Sequence, residues 1–427
     1  MAKLEIQIQT RKMLKPSTPT PNHLRSLKLS LFDQLAPRLY VPVLFHYLPN
    51  SEWNSELITE RCDKLQKSLA ETLTKFYPLA GRFREDELSV HCNDEGVEYV
   101  ETKVNADLAE FLHQGPKSEL LNDLLPTYRP SSPLLLVQVN TFNCGGLVMG
   151  INISHILADG FTLGTFVKEW TRISQTGNTE GSLPSFGRLP SLFPSRVLSG
   201  TYISPPSDKC PKIVTRRFVF DALAIAKLKE RINTNATFTR PTRVVVVMSL
   251  IWKVLTGIST AKHGKSRDSH LLFPVNLRGK SNLPSLEHAL GNFCLAGIAT
   301  LEANQSRKEL TDFVNMVGST ARDTSVGIAK ASVDDITSMF VNFKIPCQKE
   351  EMDMYFCTSW CKFPWYEADF GWGKPFWVSD VSKPAELITL IDTKSGDGIE
   401  AWIGLKENEM AEFERDPDIL TFCPPQN

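Results

Sequence analysis

The hydrophobic pattern is clearest in the middle of the first half of the chain. Leu147 to Ile153 is a short apolar run rich in β-branched residues, preceded by Gly145 and Gly146. Such a run predicts a buried strand. It gives way to Ser154-His155, and a polar break closes at Asp159-Gly160. From Phe161 to Arg172 the apolar positions fall at Phe161, Leu163, Phe166, Val167 and Trp170, the spacing of a helix with one buried face. His155 therefore stands where a core strand runs out into a turn before a helix. Upstream, Leu134 to Phe142 pairs with this strand as a hairpin through Asn143 to Gly146.

The same reading extends along the chain. Leu4 to Gln9 alternates as a strand with one wet face, and Lys15 to Pro21 is extended because of its three prolines. Tyr40 to Tyr47 predicts a buried strand whose Pro42 marks an edge or a start. His46 within it reads as a packed strand residue, since no acid or nucleophile accompanies it. Ser55 to Phe76 carries a helical stripe at Leu57, Leu65, Leu69, Leu73 and Phe76, ended by Tyr77-Pro78. Leu88–His91 and Glu98–Val104 predict a hairpin around Asn93 to Gly96; the acids there read as turn residues, not metal ligands. Gln175 to Pro211 holds six prolines and no clear period, which predicts a crossover. Thr215–Phe220 is a strand, and Asp221 caps a helix over 222–233. Val244 to Ile258 is apolar enough for a buried helix or a strand, its Val-rich start favouring strand. Strands at 271–277, 293–301, 353–359, 386–392 and 398–404 and a helix at 308–329 complete the pattern. Irregular alternation of this kind predicts an α/β fold with a mixed sheet in each of two lobes: 1–175, a linker over 176–212, and 213–427.

Composition narrows the function. The 427 residues suffice for two ordinary domains. A net charge of −1 supplies no field for nucleic acid or a membrane surface. The nine cysteines are odd in number, scattered, and contain no Cys-x-x-Cys. That favours reduced thiols over a disulfide frame or a zinc site. The first residues lack the apolar core of a signal peptide, and no stretch reads as reaching transmembrane length. A cytoplasmic monomer without bound metal, nucleic-acid partner or membrane partner is the expectation.

Among the eight histidines, only His155 has an aspartate four residues later, Asp159. Alone this spacing is a weak signal. A second motif, Asp369-Phe-Gly-Trp-Gly-Lys374-Pro375, lies near the end of the chain. The pair resembles the plant BAHD acyltransferases, enzymes that use acyl-coenzyme A. Lys15–Pro21, Leu29-Ser-Leu-Phe-Asp33-Gln34, Phe76-Tyr-Pro-Leu-Ala-Gly-Arg82, Val275-Asn-Leu-Arg278 and Gly291-Asn292 are similar to family landmarks and follow the family order over the whole chain. The resemblance implies two lobes of similar chloramphenicol-acetyltransferase-like fold with a reaction channel between them. It also favours helix for 244–258. The branch it is most similar to contains alkaloid O-acetyltransferases together with volatile-alcohol and acylsugar acyltransferases.

Transfer from a thioester to an alcohol needs a base for the hydroxyl proton and donors for the oxyanion. His155 suits the base, and no covalent intermediate is needed because thiolate leaves well. The resemblance implies the other roles. Asp159 is structural, turned away from the site and paired with Arg278, while Gly160 gives the tight turn its conformational freedom. Thr358 and Trp360 lie near the oxyanion. Asp369, Gly371, Trp372 and Gly373 form a shaped turn bracing the coenzyme channel. Lys253, Arg240, Arg243 and Lys374 are candidates for the coenzyme phosphates, in the absence of any Gly-rich phosphate loop. Lys362, Phe363 and Trp365 are candidates for the acceptor pocket, where an aromatic flank suits a ring system or a cationic amine. Ser154, and not a second histidine, precedes His155, which argues against a carrier-protein-dependent condensation enzyme. The expected function is acetyl transfer from acetyl-coenzyme A, a co-substrate and not a resident cofactor, to an alkaloid or terpenoid alcohol. Acylsugar or volatile-ester synthesis, a thioesterase and a non-catalytic binding relative are the alternatives.

Overall fold

A computed structural model describes residues 4–49, 55–115, 118–129, 131–181, 184–196, 212–232, 241–280, 283, 286–305, 308–341, 352–380 and 385–424. The chain divides into two compact units. The first gathers Met1–Ser204, Ser285–Phe293 and Phe363–Lys383; the second gathers Pro205–Pro284, Cys294–Lys362 and Pro384–Asn427. The sequence pattern placed one boundary in the 176–212 crossover. The structure differs by returning two later segments, including Asp369–Gly373, to the first unit. Both return through long-range pairing, such as Trp377–Ser379 against Leu44–His46, which local periodicity does not encode.

The first unit is built on a six-stranded sheet. Its spatial order is Ile6–Leu14, Val97–Val104, Leu135–Phe142, Leu147–Ser154, Tyr40–Tyr47 and Trp377–Ser379. One neighbouring pair, 97–104 with 135–142, is parallel and the others are antiparallel. All eight residues of Leu147–Ser154 are buried, as the apolar run requires; each buried Ile or Leu contributes about 1.5–3 kcal/mol. Pro42 pairs with Asn152 on one side. It lies beyond the three residues that meet Trp377–Ser379 on the other, so its missing N–H costs no ladder bond. Helices Ser55–Lys75 and Gly160–Thr176 pack together. Trp170 is fully buried and its Nε1–H donates to Ser68 Oγ at 3.0 Å.

The hairpin expected around Asn93–Gly96 does not form. Ser89–His91 pairs with Arg82–Arg84 and Ser26–Lys28 in a separate three-stranded sheet. Val97–Val104 instead joins the main sheet. The 92–96 stretch is a connection between the two sheets and not the turn of a hairpin.

The second unit carries its own six-stranded mixed sheet, ordered Cys294–Leu301, Asp268–Asn276, Met352–Ser359, Ile388–Asp392, Ile399–Lys406 and Ile213–Phe220. Asp221 caps Ala222–Arg231 through Ala224 N–H at 2.7 Å. The ambiguous apolar segment is a helix, Arg243–His263. Thr242 caps its start, and Gly264 ends it in the left-handed region at φ 67°. These caps decide against the strand that the valines favoured. This helix is also long and apolar enough to cross a membrane, contrary to the sequence reading. Most of it is core: Trp252 is fully buried, donates to Ser269 Oγ at 2.9 Å and packs edge-on against Phe313.

Candidate active site

The turn after Leu147–Ser154 is held by its backbone before any side chain is considered. Tyr40 pairs with Ser154 at the end of the ladder. One residue further, His155 N–H donates to the Leu39 carbonyl at 2.9 Å. The His155 carbonyl in turn accepts from Asn292 Nδ2 at 2.7 Å. The imidazole is thus anchored on both sides of its own peptide. Its ring is half-buried, and among the described residues Nδ1 is buried without a hydrogen-bond partner. Burial lowers the proton affinity of His155 below the usual histidine value. Its own carbonyl, the Asp159 carboxylate and the Asn292 amide oppose that shift without reversing it. A histidine kept neutral in this way is a ready base.

Asp159 does structural work. Its Oδ1 accepts from Thr162 N–H at 2.9 Å and caps the Gly160–Thr176 helix. Its Oδ2 accepts from Phe293 N–H at 3.2 Å. The second bond ties the turn to the returning 285–293 segment, as does the contact between Thr162 Oγ1 and the Gly291 backbone. Arg278 belongs to the second unit, where Nη1 donates to Asn276 Oδ1 at 3.3 Å.

The reason for Gly160 needs correction. Its φ lies outside the left-handed region, so the turn does not demand conformational freedom there. It demands space: a Cβ at Gly160 would stand 2.8 Å from Phe363 Cε2. Phe363 therefore packs directly against the start of the helix that follows His155. Trp365, expected in an acceptor pocket, is a core residue instead. It is 1% exposed and packs against Phe45 and Phe363.

The Asp369–Gly373 segment is a turn closed on its own carboxylate. Asp369 Oδ1 accepts from Gly371 N–H at 2.7 Å and Gly373 N–H at 3.0 Å. Both glycines take φ near +110°, which side chains disfavour. Phe370 is fully buried between Trp170, Tyr47 and Trp372. The Arg61 guanidinium lies over the Trp372 ring. This is a packed brace of the first unit.

In the second unit, Thr358 lies at the end of the Met352–Ser359 strand and Trp360 directly follows it, while the preceding Cys357 is turned to the core. Thr358 is half-buried; Trp360 is buried, and its N–H donates to the Leu390 carbonyl at 2.7 Å. Lys362 is exposed, adopts φ +70° and donates its N–H to Asp392 Oδ2 at 2.6 Å. The candidate phosphate-binding cations are engaged by acids: Lys253 with Asp418 at 3.0 Å, Arg243 with Asp392 at 3.1 Å, Lys374 with Glu367 at 2.5 Å. Arg240 lies outside the described residues. Among the described residues, no cluster of three His, Cys, Asp or Glu side chains could hold a metal.

Two residues went unassigned in the sequence reading. Asn292 contacts the His155 turn directly, and Asp33 contacts Asn292. Asp33 Oδ1 accepts from the Asn292 backbone N–H at 2.7 Å and from its Nδ2 at 2.9 Å. The available signal was the Ser30-x-x-Asp33 spacing of a capping box, which the structure forms.

With the geometry in place, comparison with known proteins is informative. Residues 4–420 match the model of the Transferase family. Acetyl-CoA-benzylalcohol acetyltransferase of Clarkia breweri is 36% identical, over 98% of this chain and 100% of that protein. Limonoid 21-O-acetyltransferase of Melia azedarach is 35% identical, over 99% of each. Among solved structures, vinorine synthase superposes with a TM-score of 0.82 at 31% identity, covering 98% of both chains. The TRI101 protein of F. sporotrichioides, solved with coenzyme A and T-2, shares the fold with a TM-score of 0.73 at 17% identity, covering 93% of this chain and 98% of that one.

Proposed function

Because the chain belongs to this transferase family, the BAHD acyltransferases, we propose that it transfers an acetyl group from acetyl-coenzyme A to the hydroxyl of a plant specialised-metabolite alcohol. The observation that carries this reading is His155: half-buried at the end of a core strand, anchored through both sides of its peptide, with its proton affinity lowered by burial.

The steps follow from that geometry. His155 takes the hydroxyl proton as the oxygen attacks the thioester carbonyl. The tetrahedral intermediate collapses, the C–S bond breaks, and the imidazolium returns its proton to the departing thiolate. Thr358 and Trp360 carry the oxyanion role by family resemblance. Lys253, Arg243 and Lys374 are the described candidates for the coenzyme phosphates; each would exchange its present carboxylate partner for phosphate. The acceptor we favour is a neutral or basic polycyclic alcohol, in keeping with relatives named for limonoid and alkaloid acetylation. The benzyl-alcohol relative supports a volatile-ester synthase as the second reading. A monomer working in the cytoplasm, without membrane or nucleic-acid partner, completes the proposal.

The test is product analysis with acetyl-, malonyl- and benzoyl-coenzyme A against a panel of alcohols, each run with and without acceptor. Ester should form fastest from acetyl-coenzyme A, and coenzyme A release should require the alcohol. Equal release without alcohol would make the protein a thioesterase, and no turnover of any pair would remove the enzymatic reading. Fastest acylation of a carboxylated acceptor would overturn the substrate assignment alone.

A further inference from the structure

Asp33 is a buried carboxylate with no cation among its described partners. Every group that touches it with a polar atom donates. The Ser30 N–H at 3.1 Å and Ser30 Oγ–H at 2.6 Å occupy Oδ2. The Asn292 N–H and Nδ2–H occupy Oδ1. Backbone and amide N–H groups cannot accept, so this surround complements the carboxylate and not the acid. Burial nonetheless raises the carboxyl above its ordinary range, against the pull of all four bonds. The contact is close enough to constrain the backbone facing it. Gly291, at φ +111°, would place a Cβ 3.2 Å from Asp33 Oδ1.

The consequence lies one residue further along. Both N–H bonds of the Asn292 amide are committed, one to Asp33 and one to the His155 carbonyl. An amide with both hydrogens fixed has its oxygen fixed as well. That oxygen, Asn292 Oδ1, is buried without a partner, and so is His155 Nδ1. The two residues meet through the His155 carbonyl and not through these two atoms. Each such atom costs free energy unless paired.

We propose that Asp33 is a positioning residue for acyl transfer: by clamping Asn292, whose other amide N–H holds the His155 carbonyl, it fixes the peptide that carries the imidazole and so the aim of the base. The inference rests on the acyltransferase reading, and it adds a carboxylate 122 positions before the histidine in the chain, acting through a third residue. Without the carboxylate the Asn292 amide keeps only its bond to the His155 carbonyl, and the peptide that carries the imidazole loses its rigid support.

The experiment compares Asp33→Ala, Asp33→Asn, Asn292→Ala, the double variant Asp33→Ala/Asn292→Ala and Ser30→Ala, each by steady-state kinetics and thermal melting. Wild-type turnover is established first; its absence would count against the acyltransferase reading and not against the clamp. In active protein, Asp33→Ala should lower kcat roughly 10- to 100-fold, part of the 10²–10⁴ that a positioned base supplies, with KM for both substrates unchanged. The double variant should be no slower than Asn292→Ala, because both changes break one linkage. Ser30→Ala removes a bond to the same carboxylate without touching Asn292, so it should cost melting temperature while keeping kcat. Should Asp33→Ala fail to fold, the isosteric Asp33→Asn carries the comparison. Wild-type kcat in a folded Asp33 variant would overturn the proposal. So would losses that simply add in the double variant, or a kcat loss in Ser30→Ala as large as that in the Asp33 variants.

Discussion

Two histidines stand near opposite ends of one antiparallel strand pair, and they have opposite fates. His46 faces Val148 in the ladder between Tyr40–Tyr47 and Leu147–Ser154; His155 follows the last residue of that ladder, Ser154. His46 is fully buried. Its Nδ1 donates to the Trp377 carbonyl at 3.2 Å, its ring lies 4.8 Å from that of Trp377, and burial pushes its proton affinity down to about 3. His155 is also desolvated but keeps a half-buried ring, an amide beside it and a carboxylate four residues on. Complete burial within the sheet makes an imidazole inert, whereas partial burial just beyond the ladder leaves one able to act as a base. The difference is one of position on the same scaffold, not of residue type.

The strongest way to break this comparison is to exchange the outcomes. His155→Ala should cut turnover by about 10²–10⁴-fold, a loss of roughly 3–5 kcal/mol in transition-state stabilisation, with the melting temperature preserved. His46→Ala should do the reverse, keeping kcat while a cavity in the sheet lowers the melting temperature. Near-native turnover in folded His155→Ala would remove the base assigned here.

Next in size are the two residues that shape the turn. Gly160→Ala forces a methyl group toward the Phe363 ring, and overpacking of this kind typically costs about 1–3 kcal/mol. Activity should fall as the helix start is displaced from His155. Trimming the ring in Gly160→Ala/Phe363→Leu should recover part of the loss, and no recovery would show that backbone conformation, not space, sets the requirement. Asp159→Ala removes the helix cap and the acceptor for Phe293 N–H, an expected cost of roughly 1–2 kcal/mol for the cap. Calorimetric melting reads this directly; an unchanged melting temperature with lost turnover would move Asp159 from scaffold to chemistry.

What was legible in the sequence was whatever is local. The strand, turn and helix around His155 follow from apolar spacing within 26 residues, and His46 was legible as packing because no acid accompanies it. Asp221 and its helix were legible for the same reason. The rest depends on pairing between distant segments. Asn292 meets His155 across 137 positions and Asp33 meets Asn292 across 259. No periodicity spans such distances. The 93–96 stretch reads as the closing turn of a hairpin, but the strand after it found partners at 6–14 and 135–142. Trp365 was placed in a pocket from its aromatic flank, but it is a core residue that packs on Phe45 as well as on Phe363. Gly160 was recognised as necessary for a reason that only the Phe363 contact could correct.

A smaller effect separates the two histidines through pH. His46 has a depressed proton affinity, so its neutral form is the one the fold accepts. Below its ordinary value of 6.5 the unfolded chain binds a proton that the native state refuses until about 3. Stability therefore falls as pH drops through that window, by about 2 kcal/mol at pH 5 from this group alone. His46→Phe should flatten the dependence of melting temperature on pH between 6.5 and 5. An unchanged slope would mean that His46 is protonated in the native state.

The last effect belongs to His155, and it is read in kinetics. Burial lowers its affinity from 6.5, while its own carbonyl, the Asp159 carboxylate and the Asn292 amide pull the other way. The base form consequently persists to lower pH than in a free histidine, and the acid limb of kcat/KM should fall below pH 6.5. Asp159→Asn removes the opposing charge and should move the limb lower still, because the remaining balance favours the neutral ring more strongly. His46→Phe should leave the limb where it is, since His46 lies six ladder positions from Tyr40 and Ser154 and has no part in proton transfer. A limb above 6.5 would show that the carboxylate outweighs burial at the His155 ring. A limb displaced by His46→Phe would show that the two ends of the strand pair are not independent.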